Sequence, residues 1–400
     1  MIRSKDFFIS GLMKKSSITK AIKDFVETEQ SGGIVLICCA IIALIFSNTS
    51  LSHSWFNFWE FEFGFTQLGL YKSLLHWVND GLMAIFFLLV GLEIKREIVE
   101  GELSSVKKSM LPIFAACGGM IAPALIYSLI NMHAETIKGW AIPMATDIAF
   151  ALGVLSLLGN RIPFSIKIML TALAIVDDLG SIVVIGLFYS EDISATFLLM
   201  AAGIFGILLL MNKFGVKSVL MYLITGLFLW YFTLKSGIHA SISGVLLAFS
   251  IPLGKGETDS AAEKLIHFIH KPVSFFIMPV FALANTGFII HAKLEEVATS
   301  LVSLGVLAGL YLGKPLGIFI ASWVAIKMKW ADLPANAGWY HLLGAGFLGG
   351  IGFTMSIFIS LLAFTDIDIQ GFSKIAILVA SLLSGLTGFL ILSRSFKKAD

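Results

Sequence analysis

The sequence predicts an all-α integral membrane protein of about twelve transmembrane helices, and three observations predict it. Of 400 residues, 57% are hydrophobic and only 14% are charged, against about 25% charged in soluble proteins. Mean hydropathy is +0.91. Apolar runs recur at lengths near the ~20 residues that cross a bilayer core. Basic residues then sort to alternate loops between those runs. A soluble domain has no interior able to bury so much apolar surface. Disorder needs the opposite composition, and an outer-membrane barrel alternates polar and apolar residues.

Residues 1–30 mix basic, acidic and apolar types. They are expected to form a cytoplasmic N-terminal extension, lying on the membrane surface as a short amphipathic helix. The first long apolar run starts near Gly32, after a polar stretch too long for a signal-peptide n-region, so it is expected to remain as a helix. Residues 31–394 then read as a single transmembrane domain. Its spans are expected near 32–48, 73–94, 110–131, 139–158, 164–189, 194–211, 217–234, 236–252, 272–290, 299–324, 340–363 and 372–393. The eighth is short. Cys38, Cys39 and Cys117 lie inside apolar runs without CxxC spacing, so neither a disulfide nor a metal is expected from them.

The loop 49–72 stands apart. Residues 55–65 read WFNFWEFEFGF. Alternating aromatic and polar residues suggest a β-hairpin, and an interfacial aromatic belt is the competing reading. An extended ribbon outside the bilayer could pair with a second subunit.

Orientation follows from Lys and Arg. Twenty-two of them fall on the side of the N-terminus, five on the other, and Lys314 lies inside a span. Positive charge collects on the cytoplasmic side, so both termini are expected in the cytoplasm.

Few other ionisable residues enter the spans: Asp80, Asp147, Asp177, Asp178, and Glu93 near a cytoplasmic end. Each charge near the bilayer centre costs on the order of 2.5–3.5 kcal/mol, and such residues usually mark ion or proton paths. At ~1.5 Å per residue, Asp147 lies roughly 12 Å into its span, Asp177 and Asp178 roughly 20 Å, and Lys314 roughly 22 Å. Carboxylates are hard oxygen ligands for alkali cations and also accept protons, so the two can compete for one site. The bland alternative is an aspartate–Lys314 pair that only holds helices together.

Two spans are interrupted at that depth. One carries Pro143 and then Ala-Thr-Asp at 145–147. The other carries Gly344, Gly346, Gly349, Gly350 and Gly352. Broken helices at matching places in two halves point to a transport site. Spans 3–5 (110–189) and 10–12 (299–393) run in opposite directions, and the middle member of each is broken. They are expected to be inverted three-helix repeats. Asp147 would offset the positive half-helix ends and Lys314 the negative ones. Gly305, Gly309, Gly313 and Gly317 form a ridge at i, i+4 and are assigned to helix packing.

DGLMAIFFLLVGLEIKRE (80–97), GWAIPMATDIAFALGVLSLLG (139–159), LAIVDDLGSIVVIGLFY (173–189), LKSGIHAS (234–241), GKPLGI (313–318) and GIGFTMSIFIS (350–360) resemble the bacterial NhaA family of sodium/proton antiporters. The resemblance runs from about residue 30 to 393. It implies a multi-pass inner-membrane antiporter exchanging Na⁺ or Li⁺ for protons, serving pH homeostasis and salt tolerance. No further cofactor and no nucleic acid partner is implied. By motif position, Asp177 and Asp178 match the paired aspartates that hold Na⁺, with Asp178 the primary ligand. Thr146 and Asp147 match the unwound segment, and Lys314 the lysine facing the aspartates. Gly350 and Gly352 fall in the second break. Asp80 matches an acid of the second span. Glu93, Arg96 and Glu97 match a cytoplasmic cluster linked to pH activation, and His239, His267 and His270 match it more loosely. The outside hairpin matches a homodimer contact. One place departs from the family: Ile266 stands where an acid often precedes the first loop histidine, here His267. Glu263, one turn away, is the candidate substitute.

The expected mechanism has two carboxylates binding protons and one cation alternately, so that two protons per Na⁺ would move net charge. A sodium-coupled symporter of an organic anion is the alternative. It would want a basic cavity, and Lys314 is the one base expected inside the membrane. A channel would need no alternating repeat. An enzyme is not expected, since no nucleophile or metal constellation appears, and His341 reads as structural.

Overall fold

Apolar surroundings leave backbone amides no partner but the chain itself, so the long apolar runs close into helices. The computed structural model describes residues 31–190, 192–254, 260–289 and 294–395. The expected extension 1–30 lies outside the described residues.

Helix α1 (Ser31–Ser47) is followed, after a 114° turn, by the short α2 (Ser52–Glu60). Two strands, β1 (Glu62–Phe63) and β2 (Lys72–Ser73), pair antiparallel, with Glu62 opposite Ser73 and Phe63 opposite Lys72. The hairpin expected across 55–65 is therefore corrected: residues 55–60 are helical, and the paired strands lie beyond them. The physical reason is aromatic packing. Trp55 stacks on Phe46 of α1 at 5.2 Å and meets Trp59, one turn on, edge-to-face at 5.8 Å. That i, i+4 contact needs a helix.

Helix α3 (Met83–Val99) is entered through a π-helical turn at Trp77–Leu82. α4 (Val106–Ile130) is continuous despite Pro112 and Pro123. A 3-10 helix, Glu135–Met144, precedes α5 (Ile148–Ser156). Then come α6 (Phe164–Phe188), α7 (Ala195–Lys213), α8 (Val219–Lys235) and α9 (Ser241–Ser250). α10 (Ala261–Pro272) passes through a π turn into α11 (Met278–Thr286). The last group is α12 (Leu294–Thr299), α13 (Leu301–Ala308), a π turn at Gly309–Gly313, α14 (Lys314–Lys327), α15 (Trp339–Gly349), α16 (Phe353–Ala363) and α17 (Ile367–Ser395).

Among the described residues, six helices are long and apolar enough to cross a membrane, or up to nine if each bent pair is one span, with α8 and α9 as shorter apolar helices. The expected eighth span, 236–252, is helical only over the ten residues of α9. Large apolar side chains such as Leu187, Leu199, Phe214 and Leu220 turn outward and are exposed, which suits lipid and marks a multi-pass membrane protein. One charge expectation is also corrected. Lys374, one of the five basic residues counted on the side opposite the N-terminus, sits in the second turn of α17 and is only 8% exposed. Lys314 is thus not alone among withdrawn bases.

α4 and α14 cross in close contact. A Cβ on Gly317 would fall 2.1 Å from the Gly118 carbonyl oxygen. Gly305, Gly309 and Gly313 of the same ridge face Tyr127, Pro143 and Pro123. The ridge lets the segment bearing Lys314 approach the first broken helix.

Candidate ion site at two crossing helix breaks

The 3-10 helix ends at Met144, residues 145–147 are extended, and α5 resumes at a 43° bend. α15 ends at Gly349, and α16 resumes at Phe353 with a 44° bend. Gly350 is required at the second break by space, since a Cβ would lie 2.6 Å from the Leu310 carbonyl oxygen. The two breaks are joined directly: the Asp147 backbone N–H donates to the Ile351 carbonyl at 2.6 Å.

Asp147 caps both resuming half-helices. Its Oδ1 accepts the Phe150 N–H at 3.0 Å. Its Oδ2 accepts the Thr354 N–H at 3.2 Å and the Thr354 hydroxyl at 2.5 Å. One carboxylate therefore faces the positive ends of α5 and α16. Thr354 was missed from the sequence, although its place just past the glycine break is where a half-helix needs its first donors bound.

Lys314 serves the opposite pole. Its Nζ donates to the Met144 carbonyl, at the negative end of the 3-10 half-helix. It also lies 2.8 Å from Asp177 Oδ2, and both side chains are wholly buried. The Thr146 hydroxyl lies 2.7 Å from Asp177 Oδ2 and 2.8 Å from the Gly349 carbonyl. It has one proton, so it can donate to only one of them at a time.

Asp178 is left over. It is buried on α6, and among the described residues its Oδ1 has no hydrogen-bond partner. Asp177 Oδ1 and Ser181 Oγ also have none. Residues 177, 178 and 181 fall within one helical turn, so three unsatisfied oxygens gather on one stretch of α6. Ser181 was missed, and its i+3 spacing from Asp178 was the available signal. The charged groups within electrostatic reach of Asp178 are Asp177, Asp147, Lys314 and Glu93. Lys314 offsets one acid and the helix ends accommodate another. A buried carboxylate without a counter-charge is costly, and a bound cation or proton removes that cost.

The other candidate residues divide into two groups. Glu93, Arg96 and Glu97 lie towards the end of α3, where Glu97 accepts the Glu102 N–H at 3.0 Å. His270 has Arg96, His267 and Lys271 within electrostatic reach. Glu263 approaches His267 at 3.7 Å, while Ile266 is buried in the core. His239 is placed elsewhere, beside Asp80 at 3.3 Å. Asp80 also meets His76 at 3.0 Å, a residue the sequence reading did not single out despite its i−4 position. Two surface cavities, of about 500 and 380 Å³, lie where Arg161 and Phe164 approach Asn336 and where Lys107 and Lys108 approach Asp332. Neither is lined by Asp147, Asp177 or Asp178, and all three are buried.

A family model described as Na+/H+ antiporter 1 matches residues 23–392. The chain is 50% identical over 380 residues to the Na(+)/H(+) antiporter NhaA of Flavobacterium psychrophilum, covering 95% of this chain and 97% of that protein. It is 52% identical over 385 residues to Na(+)/H(+) antiporter NhaA 2 of Flavobacterium johnsoniae, covering 95% and 94%. It is 49% identical over 381 residues to the NhaA antiporter of Cytophaga hutchinsonii, covering 95% and 97%. With a match this long at both levels, the chain belongs to the Na+/H+ antiporter 1 family.

Proposed function

We propose that this protein exchanges cytoplasmic Na⁺ or Li⁺ for external protons at Asp178, with Asp177, Thr146 and Ser181 completing the site. The observation that carries the reading is Asp178 itself, a buried carboxylate whose Oδ1 has no hydrogen-bond partner among the described residues. An oxygen-rich site of this kind takes an alkali cation or a proton, and each excludes the other. The relatives' printed names support exchange of these two ions.

Cytoplasmic Na⁺ displaces protons from the aspartates, the segments 110–189 and 299–393 rock as inverted repeats, and returning protons eject Na⁺ outside. Asp147 and Lys314 keep the broken ends neutralised while the site changes sides. Two protons for one Na⁺ make each turn electrogenic, with about 2.3 kcal/mol per charge at 100 mV to drive export. Glu93, Arg96, Glu97, Glu263, His267 and His270 set the pH response from the cytoplasmic side. The protein sits in the bacterial inner membrane with both termini cytoplasmic, and the aromatic loop around 55–65 serves a homodimer contact.

The test is Asp178→Asn in everted membrane vesicles. Na⁺-dependent dissipation of a proton gradient should fall to background, while normal assembly shows as an unchanged melting temperature. Near-normal exchange would move the site away from Asp178.

A further inference from the structure

The start of α16 needs acceptors that its own turns do not supply. Its N-cap, Gly352, has no side chain to offer. Asp147 takes the Thr354 N–H. The Phe353 N–H is met from another element: it donates to Ser381 Oγ of α17 at 3.2 Å. Phe353 is 3% exposed and Ser381 7%, so solvent is not at hand to replace that acceptor. α17 is itself fixed along the broken span. A Cβ on Gly388 would lie 3.1 Å from the Gly344 carbonyl oxygen, and one on Gly385 would touch Ile351 at 3.5 Å. Ser381 stands one turn before Gly385, on the face that packs against the break.

We propose that Ser381 is a positioning residue for the transport site, its hydroxyl oxygen holding the start of α16 in register with Asp147. The contacts that join the two breaks come from the stretch that Ser381 holds. The Gly349 carbonyl lies 2.8 Å from the Thr146 hydroxyl, the Ile351 carbonyl accepts the Asp147 N–H at 2.6 Å, and Thr354 binds Asp147 Oδ2. Thr146 in turn lies 2.7 Å from Asp177 Oδ2. Ser381 therefore acts on the aspartates through Phe353, Thr354, Asp147 and Thr146. Without its hydroxyl, the Phe353 N–H competes for the Asp147 carboxylate, because a buried donor without a partner is costly. That carboxylate already takes Phe150 on one oxygen and Thr354 on the other. Asp147 shifts, Thr146 beside it in the chain moves with it, and the oxygens around Asp177 and Asp178 lose their spacing.

A neutral acceptor suits this place. Asp147 already sets one carboxylate at the two positive half-helix ends. A second would add a like charge in a buried region, whereas a hydroxyl accepts an N–H without adding charge. Ser384 supplies an internal comparison. It lies one turn further along α17 and is wholly buried, and a Cβ on Gly350 would meet its Oγ at 2.8 Å. That Oγ has no hydrogen-bond partner among the described residues. Both serines border the same break, and of the two it is Ser381 that bonds to it.

The inference rests on the exchange at Asp178 proposed above, and its test separates the two. The full-length protein is reconstituted in vesicles, and Na⁺-driven proton flux is measured against Na⁺ concentration, with the melting temperature recorded beside it. Ser381→Ala should raise the apparent Km for Na⁺ several-fold, with a much smaller change in maximal rate. Ser381→Cys keeps the size of the side chain but offers only a weak acceptor. It should move the Km in the same direction, and it replaces the alanine variant if that one does not fold. Ser384→Ala removes an oxygen that bonds nothing and should keep the wild-type Km. A wild-type Km in the folded Ser381 variant, even with a lowered melting temperature, would overturn the positioning role. A rise of the same size in Ser384→Ala would overturn it too, since loosened packing of α17 would then explain both. Asp178→Asn, run alongside, abolishes exchange if Asp178 is the site, whereas the Ser381 variants alter its Na⁺ dependence.

Discussion

Removing the Lys314 ammonium takes the paired counter-charge from Asp177 and the donor from the Met144 carbonyl. Breaking a buried pair from one side costs about 3–5 kcal/mol, which exceeds the ~0–1 kcal/mol of an exposed pair. Lys314→Ala should therefore lower the melting temperature of the purified protein by many degrees, and an unchanged value would show that the pair carries no load. In the proposed site, Ser181 bears on the ion instead. Losing its unbonded hydroxyl should raise the apparent Km for Na⁺ several-fold, up to the tenfold that ~1.4 kcal/mol represents. An unaltered Km for Ser181→Ala would remove Ser181 from the donor set. The intramembrane acids and Lys314 were legible because each stands alone in an apolar run. Their partners were not, because Thr354, the Gly349 carbonyl and the Met144 carbonyl come from elements distant in sequence.

Broken helices were legible where the chain carries Pro143 and a run of glycines, residues that weaken or interrupt helical bonding. The form of the break was less so. The first half-helix is 3-10 rather than α, and it ends in an extended Ala145–Asp147 stretch. The aromatic loop misled for a different reason. WFNFWE fits a two-residue alternation, yet Trp55 and Trp59 meet across one helical turn. Packing against Phe46 decided between the two patterns. Helix crossing gives a sharper test. Alanine is favoured over glycine inside a helix by about 1 kcal/mol, so propensity alone says Gly317→Ala stabilises. The 2.1 Å approach to the Gly118 carbonyl says otherwise, since overpacking costs typically 1–3 kcal/mol. The variant should melt lower than wild type, and a higher melting temperature would mean that α4 and α14 do not cross this closely.

At the scale of the whole molecule, scarce charge is spent in two ways. Among the described residues, most bases stand in or near loops, whereas Lys314, Lys374 and the buried acids sit within the helices. The class of molecule was legible from hydropathy alone. The placement of His239 beside Asp80, apart from Glu93, Arg96 and Glu97, was not, because a loop histidine's neighbours are set by how helices meet. The central claim is that one uncompensated carboxylate, Asp178, holds either Na⁺ or a proton. It is tested most directly by adding Na⁺ to the purified protein in weakly buffered solution and recording pH. The account predicts that protons are released on Na⁺ binding and that Asp178→Asn abolishes the release. Saturable Na⁺ binding by the wild-type protein without proton release would contradict it.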